Sequence, residues 1–106
     1  MKGNTQNTKA RTGDTLLRNR AALYDAFLSL KTRDECAAFM RDLCTVAETD
    51  SMTERFAIAR LLSKDASYRG AADETGASTT TVTRVAHWLN HGRGGYRTVI
   101  ARMHKK

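Results

Sequence analysis

The sequence predicts an all-α protein of about six helices that includes a helix-turn-helix. Its 106 residues contain no proline and few β-branched runs, a composition that favours helices. Apolar residues recur three or four positions apart along most of the chain, as they do on one face of an α-helix. Residues 68–89, YRGAADETGASTTTVTRVAHWL, place small and apolar residues where two short crossing helices would meet. The length fits one domain with a modest core, a size at which dimerisation often adds stability.

The net charge of +7 is unevenly distributed along the chain. Residues 1–20 carry five Lys or Arg against one acid, and residues 21–50 carry three against six. Residues 76–106 carry six Lys or Arg and no acid, and they include the second helix of the predicted helix-turn-helix. Such a distribution is typical of a nucleic-acid-binding protein. The alternative is a basic surface that serves only solubility.

No stretch approaches the ~20 apolar residues of a membrane span, and the N-terminus lacks the apolar core of a signal peptide. We therefore expect a cytoplasmic protein with no membrane partner. Its two cysteines, Cys36 and Cys44, would lie ~12 Å apart on one helix, which is too far for a disulfide. We expect both to be reduced and partly buried; an intermolecular or regulatory role is the alternative.

Residues 1–13 are predicted to form a flexible basic arm because they are too polar to bury a core, and residues 14–106 are predicted to form the helical domain. The first helix is predicted over residues 14–30. Its apolar stripe is broad and comprises Leu16, Leu17, Leu23, Tyr24, Phe27, Leu28 and Leu30. This stripe could contact the domain core alone, or the core together with a partner subunit.

Two capping boxes are predicted to start the next two helices. In the first, the side chains of Thr32 and Glu35 would satisfy free backbone amides and open a helix that runs to residue 46. In the second, Ser51 and Glu54 would open a helix that runs to residue 63.

The helix-turn-helix is predicted from the residues that start its helices and shape its turn. Ser67 and Ser78 are the expected N-caps of the two helices. Gly76 can adopt the positive φ that the tight turn requires. Ala72 is small where the second helix crosses close to the first.

The second helix is predicted to have an apolar inner face and a polar outer face. Val82 and Val85 lie one turn apart and would pack against the first helix. This packing leaves Thr79, Thr80, Thr81, Thr83, Arg84 and His87 facing largely outward. Hydroxyls and an arginine on a short helix suit hydrogen bonds to base edges and phosphates in a major groove, and the helix start at Ser78 offers amides to a phosphate. The alternative is a corner that only packs within a helical bundle.

The segment after Leu89 is predicted to end this helix, because three of the next six residues are glycines, before a last helix over residues 96–104. His87 and His91 have the spacing of a helical zinc pair, but no third ligand follows, so neither a metal nor another cofactor is predicted. Trp88 is expected to be a buried anchor, with ligand stacking as the alternative. The sequence contains no phosphate-binding glycine loop and no activated nucleophile, which argues against an enzyme.

Three segments carry a resemblance to a known family: LYDAFLSLKTRDECAAFMRDLCT, LLSKDASYRGAADETGASTTTVTRV and LNHGRGGYRTVIARM. The specific part is GASTTTVTRV together with LNHGRGGYR. Over about residues 16–103 the chain resembles the Trp repressor superfamily, and most closely its YerC/YecD-type branch. The resemblance implies six helices in an intertwined homodimer with a helix-turn-helix in each subunit. The two recognition helices of such a dimer lie roughly 34 Å apart and read a near-palindromic operator in double-stranded DNA.

The resemblance also implies which residues contact DNA. Arg69 would reach base edges or phosphate from the first helix of the helix-turn-helix, and Arg84 would lie where DNA and an effector meet. Where the family has a lysine that contacts phosphate, this chain has Ala72, so one contact is absent. The predicted DNA-binding set is Arg69, Ser78, Thr79, Thr80, Thr81, Thr83, Arg84 and His87.

The sequence departs from the family at the effector site. In the Trp repressor an arginine holds the tryptophan carboxylate, and the aligned position here is Glu54. Shifting the alignment by one residue would place Arg55 there instead. Val85 replaces a glycine that leaves room for the indole ring, and Trp88 replaces a small polar residue. We therefore predict that tryptophan is not the corepressor. An effector pocket, if there is one, would be lined by Glu54, Arg55, Arg84, Val85 and Trp88.

The sequence thus predicts a homodimeric, sequence-specific transcriptional regulator, expected to be a repressor. The rival hypothesis is a helical dimer that binds an acidic protein partner and does not read DNA. Retention on duplex DNA as well as on heparin would distinguish the two. RNA binding is a weaker third hypothesis, because the sequence offers no exposed aromatic platform.

Overall fold

A computed structural model describes residues 13–104, and this part of the chain forms six α-helices. None of the helices formed by residues 13–104 combines the length and the hydrophobicity that a membrane span requires. The predicted basic arm lies outside the described residues apart from Gly13, which is the first residue of α1. The helices are α1 (Gly13–Ser29), α2 (Arg33–Leu43), α3 (Val46–Ser63), α4 (Tyr68–Thr75), α5 (Thr79–His91) and α6 (Gly95–His104).

The chain divides into two units, Met1–Leu43 and Cys44–Lys106. The first unit contains α1 and α2, neither of which has a buried residue. Phe27 and Phe39 make an edge-to-face contact with ring centroids 5.2 Å apart, a favourable geometry for two aromatic rings. The rest of the apolar stripe on α1 is largely uncovered, and Leu28 is 81% exposed.

The start of α2 follows the predicted capping signal in part. The Thr32 hydroxyl accepts a hydrogen bond from the Glu35 amide at 3.0 Å. The Glu35 carboxylate accepts from the Lys31 amide at 2.9 Å, one residue before the position that a capping box would use. The prediction that Cys36 is partly buried is wrong, since its side chain is exposed, whereas Cys44 is half-buried. Both cysteines are free thiols.

The predicted start of α3 is wrong by six residues, since the cap is Thr45 and not Ser51. The helix begins at Val46, after a complete capping box in which Thr45 and Glu48 satisfy each other's amides. The two hydrogen bonds measure 3.1 Å from the Glu48 amide to the Thr45 hydroxyl and 2.8 Å from the Thr45 amide to the Glu48 carboxylate. Ser51 therefore lies inside α3 and caps nothing. Because α3 starts earlier than predicted, α2 is shorter than predicted and ends at Leu43, before Cys44.

The core of the second unit is formed where α4, α5 and α6 pack on α3. Ile58 of α3 and Val82 of α5 are fully buried and are the largest such side chains. The remaining core residues are Ala59, Ala71, Ala72, Val85 and Ile100. At the edge of this core, the rings of Phe56 and Tyr96 stack with centroids 6.5 Å apart. This packing holds the two helices of the helix-turn-helix against a common support.

Candidate nucleic-acid interface

The turn between α4 and α5 has the geometry that its sequence predicts. The Ser67 hydroxyl caps α4 by accepting from the Gly70 amide at 2.9 Å. Gly76 ends the helix with φ 78°, in the left-handed region, and its amide donates to the Ala72 carbonyl at 2.8 Å. Ala71 is fully buried beside Ala72, so two small residues permit the close crossing of the helices.

Thr75 contributes hydrogen bonds to this turn, although the position would also suit a larger apolar residue. Its hydroxyl donates to the Ala71 carbonyl at 2.8 Å and accepts from the Ala77 amide at 3.2 Å. One side chain therefore joins the last turn of α4 to the connection that follows. Because a polar group removed from water is costly unless it is hydrogen-bonded, these bonds offset the cost of a hydroxyl at this half-buried site.

The first turn of α5 is organised by Ser78. Its hydroxyl accepts from the Thr81 amide and donates to the Thr81 hydroxyl, each at 3.1 Å. Thr81 is half-buried, which corrects the prediction that it faces largely outward. The reason is that Thr81 lies between the Ser78 cap and the buried Val82, so its side chain turns towards the capping hydroxyl.

The two faces of α5 differ sharply in burial. Val82, Val85, Ala86 and Leu89 are buried, whereas Thr79, Thr80, Thr83, Arg84 and His87 are exposed. Within residues 13–104, neither Arg84 nor the exposed Arg69 of α4 forms an ion pair. The Thr83 hydroxyl donates to the Thr79 carbonyl at 2.9 Å, which leaves the hydroxyl oxygen free to accept. The outer face thus presents hydroxyls and an unpaired guanidinium, both suited to base edges and phosphates.

A cavity of about 380 Å³ lies between α3 and α5, beside the exposed face of α5. All five residues of the predicted effector pocket line it, namely Glu54, Arg55, Arg84, Val85 and Trp88, and so do Ser51, Thr81 and Tyr96. The Glu54 side chain is half-buried. It has no hydrogen-bond or ion-pair partner in the described part of the chain. The cavity thus presents an unpaired carboxylate from α3.

Trp88 is 59% exposed, so the expectation of a buried anchor is wrong for the single chain. Its ring meets His87 edge to face, with centroids 4.9 Å apart. The rings of His87 and His91 are 5.3 Å apart, but no cluster of three or more metal-binding side chains occurs in residues 13–104. Trp88 follows the buried Ala86 by two positions, which on a helix directs it away from the core.

One contact near the end of α5 was missed by the sequence reasoning. The Nη2 group of Arg97, in α6, donates to the Asn90 side-chain oxygen at 2.8 Å. The glycine-containing connection between the two helices folds back and brings the two side chains together. A spacing of seven residues across such a connection carries no periodic signal, so only the folded structure reveals the pair.

Comparison with known proteins agrees with this geometry. The family model described as Trp repressor protein matches residues 18–104. An uncharacterized Bacillus subtilis protein called YerC is 41% identical over 81 residues, which make up 76% of this chain and 78% of that protein.

Two crystal structures have the same fold. A Staphylococcus aureus protein, named as a candidate Trp repressor, superposes with a TM-score of 0.79 at 36% identity, covering 84% of this chain and 89% of the other. A TrpR-like protein from Eubacterium eligens superposes with a TM-score of 0.77 at 38% identity, covering 92% of this chain and 96% of the other.

Proposed function

The chain belongs to the Trp repressor protein family, and from this premise we propose that it is a sequence-specific DNA-binding transcriptional regulator that acts as a homodimer and represses its target genes. The observation that carries the proposal is the exposed polar face of α5. Arg84 has no protein partner on this face and the Thr83 hydroxyl oxygen remains free to accept, while the opposite face is buried in the core. A helix supported in this way can enter a major groove as a rigid element.

A homodimer is supported by the uncovered apolar surface of α1. Leu16, Leu17, Tyr24 and Leu28 are each about half exposed or more, and α1 has no buried residue. Apolar surface stabilises a protein only when it is removed from water, so a helix of this composition needs a partner. A second copy of the chain would bring one helix-turn-helix to each half of a near-palindromic site.

The proposal is tested by selecting genomic DNA fragments with the purified protein at ~150 mM salt and without any added ligand. We expect enrichment of one near-palindromic motif whose half-sites lie about one helical turn apart. Uniform retention of all fragments would contradict sequence-specific reading. Sedimentation of the same protein preparation should give the mass of a dimer.

Replacing Arg84 with alanine is expected to weaken binding to the selected motif by about 1–3 kcal/mol if the guanidinium contacts a base. The matched control is Arg60→Ala, which removes the same charge from the exposed surface of α3 and should bind like the unaltered protein. Fluorescence anisotropy on the motif and on scrambled duplexes provides the measurement. An equal loss on all sequences would show that Arg84 contacts a phosphate instead.

L-Tryptophan is expected to bind with a Kd above about 1 mM, which corresponds to a binding free energy weaker than roughly 4 kcal/mol. The unpaired carboxylate of Glu54 faces the cavity that would receive the ligand and would repel its carboxylate. Val85, where the indole would need space, is 2% exposed and packs in the core. Isothermal titration calorimetry measures this, with binding of the selected DNA as proof that the preparation is active. Heats that saturate at micromolar tryptophan would refute the prediction.

A further inference from the structure

We propose that Arg97, Asn90 and Tyr68 form a phosphate-binding recess that holds the DNA backbone beside the groove entered by α5. The recess lies outside the predicted DNA-binding set, and the inference rests on the proposed function because its ligand is a phosphodiester of the bound duplex. Its volume is about 370 Å³. It is formed by the end of α3, the start of α4, the end of α5 and the first turn of α6.

The hydrogen bond between Arg97 and Asn90 fixes the guanidinium in this recess. Arg97 is exposed, and its bond to the Asn90 oxygen measures 2.8 Å. An arginine has five N–H donors, so this bond leaves donors available for a phosphate. Holding the side chain in place before binding reduces the entropy lost when the phosphate is bound. Arginine is also the side chain that binds a phosphate with two parallel hydrogen bonds.

The position of Asn90 on α5 relates the recess to the DNA-facing surface. Asn90 follows Thr83 by seven residues, which is close to two helical turns, so both lie on nearly the same side of the helix. The rise between them is roughly 10 Å, comparable with the ~12 Å width of the major groove. When Thr83 lies over the bases, the Asn90 end of α5 therefore lies near the backbone that borders the groove.

Two further features of the recess suit a phosphate. Tyr68, the first residue of α4, is 50% exposed and brings a hydroxyl that can donate a hydrogen bond. The stretch from Gly76 to the end of the chain contains no acid, so neither α5 nor α6 opposes an anion there.

Asp65 is the one carboxylate that lines the recess. It adopts φ 69° and makes no ion pair with Arg97. A carboxylate near a bound phosphate would weaken binding, so the proposal predicts that removing its charge strengthens binding. Asparagine is a suitable replacement because it tolerates the left-handed conformation that this position requires.

The test measures affinity for duplex DNA as a function of salt for four variants of the recess, one control variant and the unaltered protein. Arg97→Ala should weaken binding about 3- to 10-fold at ~150 mM salt on every sequence. It should also lower the slope of log affinity against log salt by about 1.8, because the dimer carries two copies of Arg97 and each would neutralise one phosphate. Arg97→Lys should keep the slope and lose part of the affinity. Asn90→Ala should also keep the slope and lose affinity, because the charge remains but is no longer positioned. Asp65→Asn should bind more tightly than the unaltered protein.

Arg102→Ala is the matched control, since it removes an exposed arginine from the same helix without touching the recess. Equal losses of affinity for Arg97→Ala and Arg102→Ala would show that the loss depends only on the net charge of the protein. That result would overturn the inference. Unchanged binding by Arg97→Ala, with motif binding intact, would overturn the inference and leave the proposed function standing. If the unaltered protein binds no duplex, both fail. Circular dichroism melts of each variant establish that the fold is retained.

Discussion

Replacing Leu28 with glutamate is expected to leave the protein monomeric and to reduce its affinity for a two-half-site operator at least ~100-fold. In the single chain Leu28 is 81% exposed, so the change would cost little if the protein worked as a monomer. In a dimer that covers α1, the same change would bury a carboxylate without a partner. Removing that charge from water costs several kcal/mol, which opposes dimerisation. Losing the dimer removes the gain from linking two half-sites, and this accounts for the size of the effect.

Ala22→Glu provides the matched control for this experiment. It adds the same charge to an exposed position of the same helix, and none of the residues three or four positions from Ala22 belongs to the apolar stripe. We expect this variant to sediment as a dimer and to bind DNA with at most a few-fold loss from the added negative charge. A Leu28→Glu protein that remained dimeric and kept its operator affinity would show that α1 is not covered in the assembly.

Gly92→Ala is expected to lower the free energy of unfolding by about 3 kcal/mol or more, at the upper end of single substitutions. A Cβ added at Gly92 would lie 2.4 Å from the carbonyl oxygen of Trp88, which belongs to the helix backbone and cannot rotate away. The Gly92 amide also donates to that carbonyl at 2.9 Å to end α5. Accommodating the methyl group would therefore disturb the end of α5 and the placement of α6.

Gly95→Ala is the matched control, because it makes the same substitution at another glycine near the connection between α5 and α6. Nothing lies within 4 Å of a Cβ built at Gly95, and this residue starts α6 in a conformation open to other amino acids. Since alanine restricts the unfolded chain, this variant should be as stable as the unaltered protein or gain about 0.4–1 kcal/mol. Urea denaturation of both variants gives the two free energies. Equal stabilities would refute the steric argument at Gly92.

The helix-turn-helix could be predicted closely from sequence because its chemistry is local. Ser67 and Ser78 cap helices a few residues away, and Gly76 adopts a backbone conformation that few other residues accept. The start of α3 was mispredicted because the segments beginning at Thr45 and Ser51 both match the capping pattern. Only the observed hydrogen bonds show that Thr45 is the cap.

The candidate site could be predicted less completely because part of it depends on tertiary packing. Helical periodicity separated the buried Val82 from the exposed Arg84, but it did not reveal that Trp88 is largely exposed. The pairing of Asn90 with Arg97 arises from the fold of a glycine-containing connection and leaves no trace in spacing or composition. Contacts between elements of this kind have to be read from the structure.

The absence of buried residues in α1 has a consequence for how strongly such a regulator responds to its own synthesis. The second unit has a core of its own, whereas α1 has no buried residue and its apolar surface would be covered only in the proposed dimer. At concentrations where single chains predominate, the amount of dimer rises with the square of the amount of protein. Occupancy of the operator would follow the same square law. At low occupancy, a twofold change in expression would then change operator occupancy about fourfold without any small molecule.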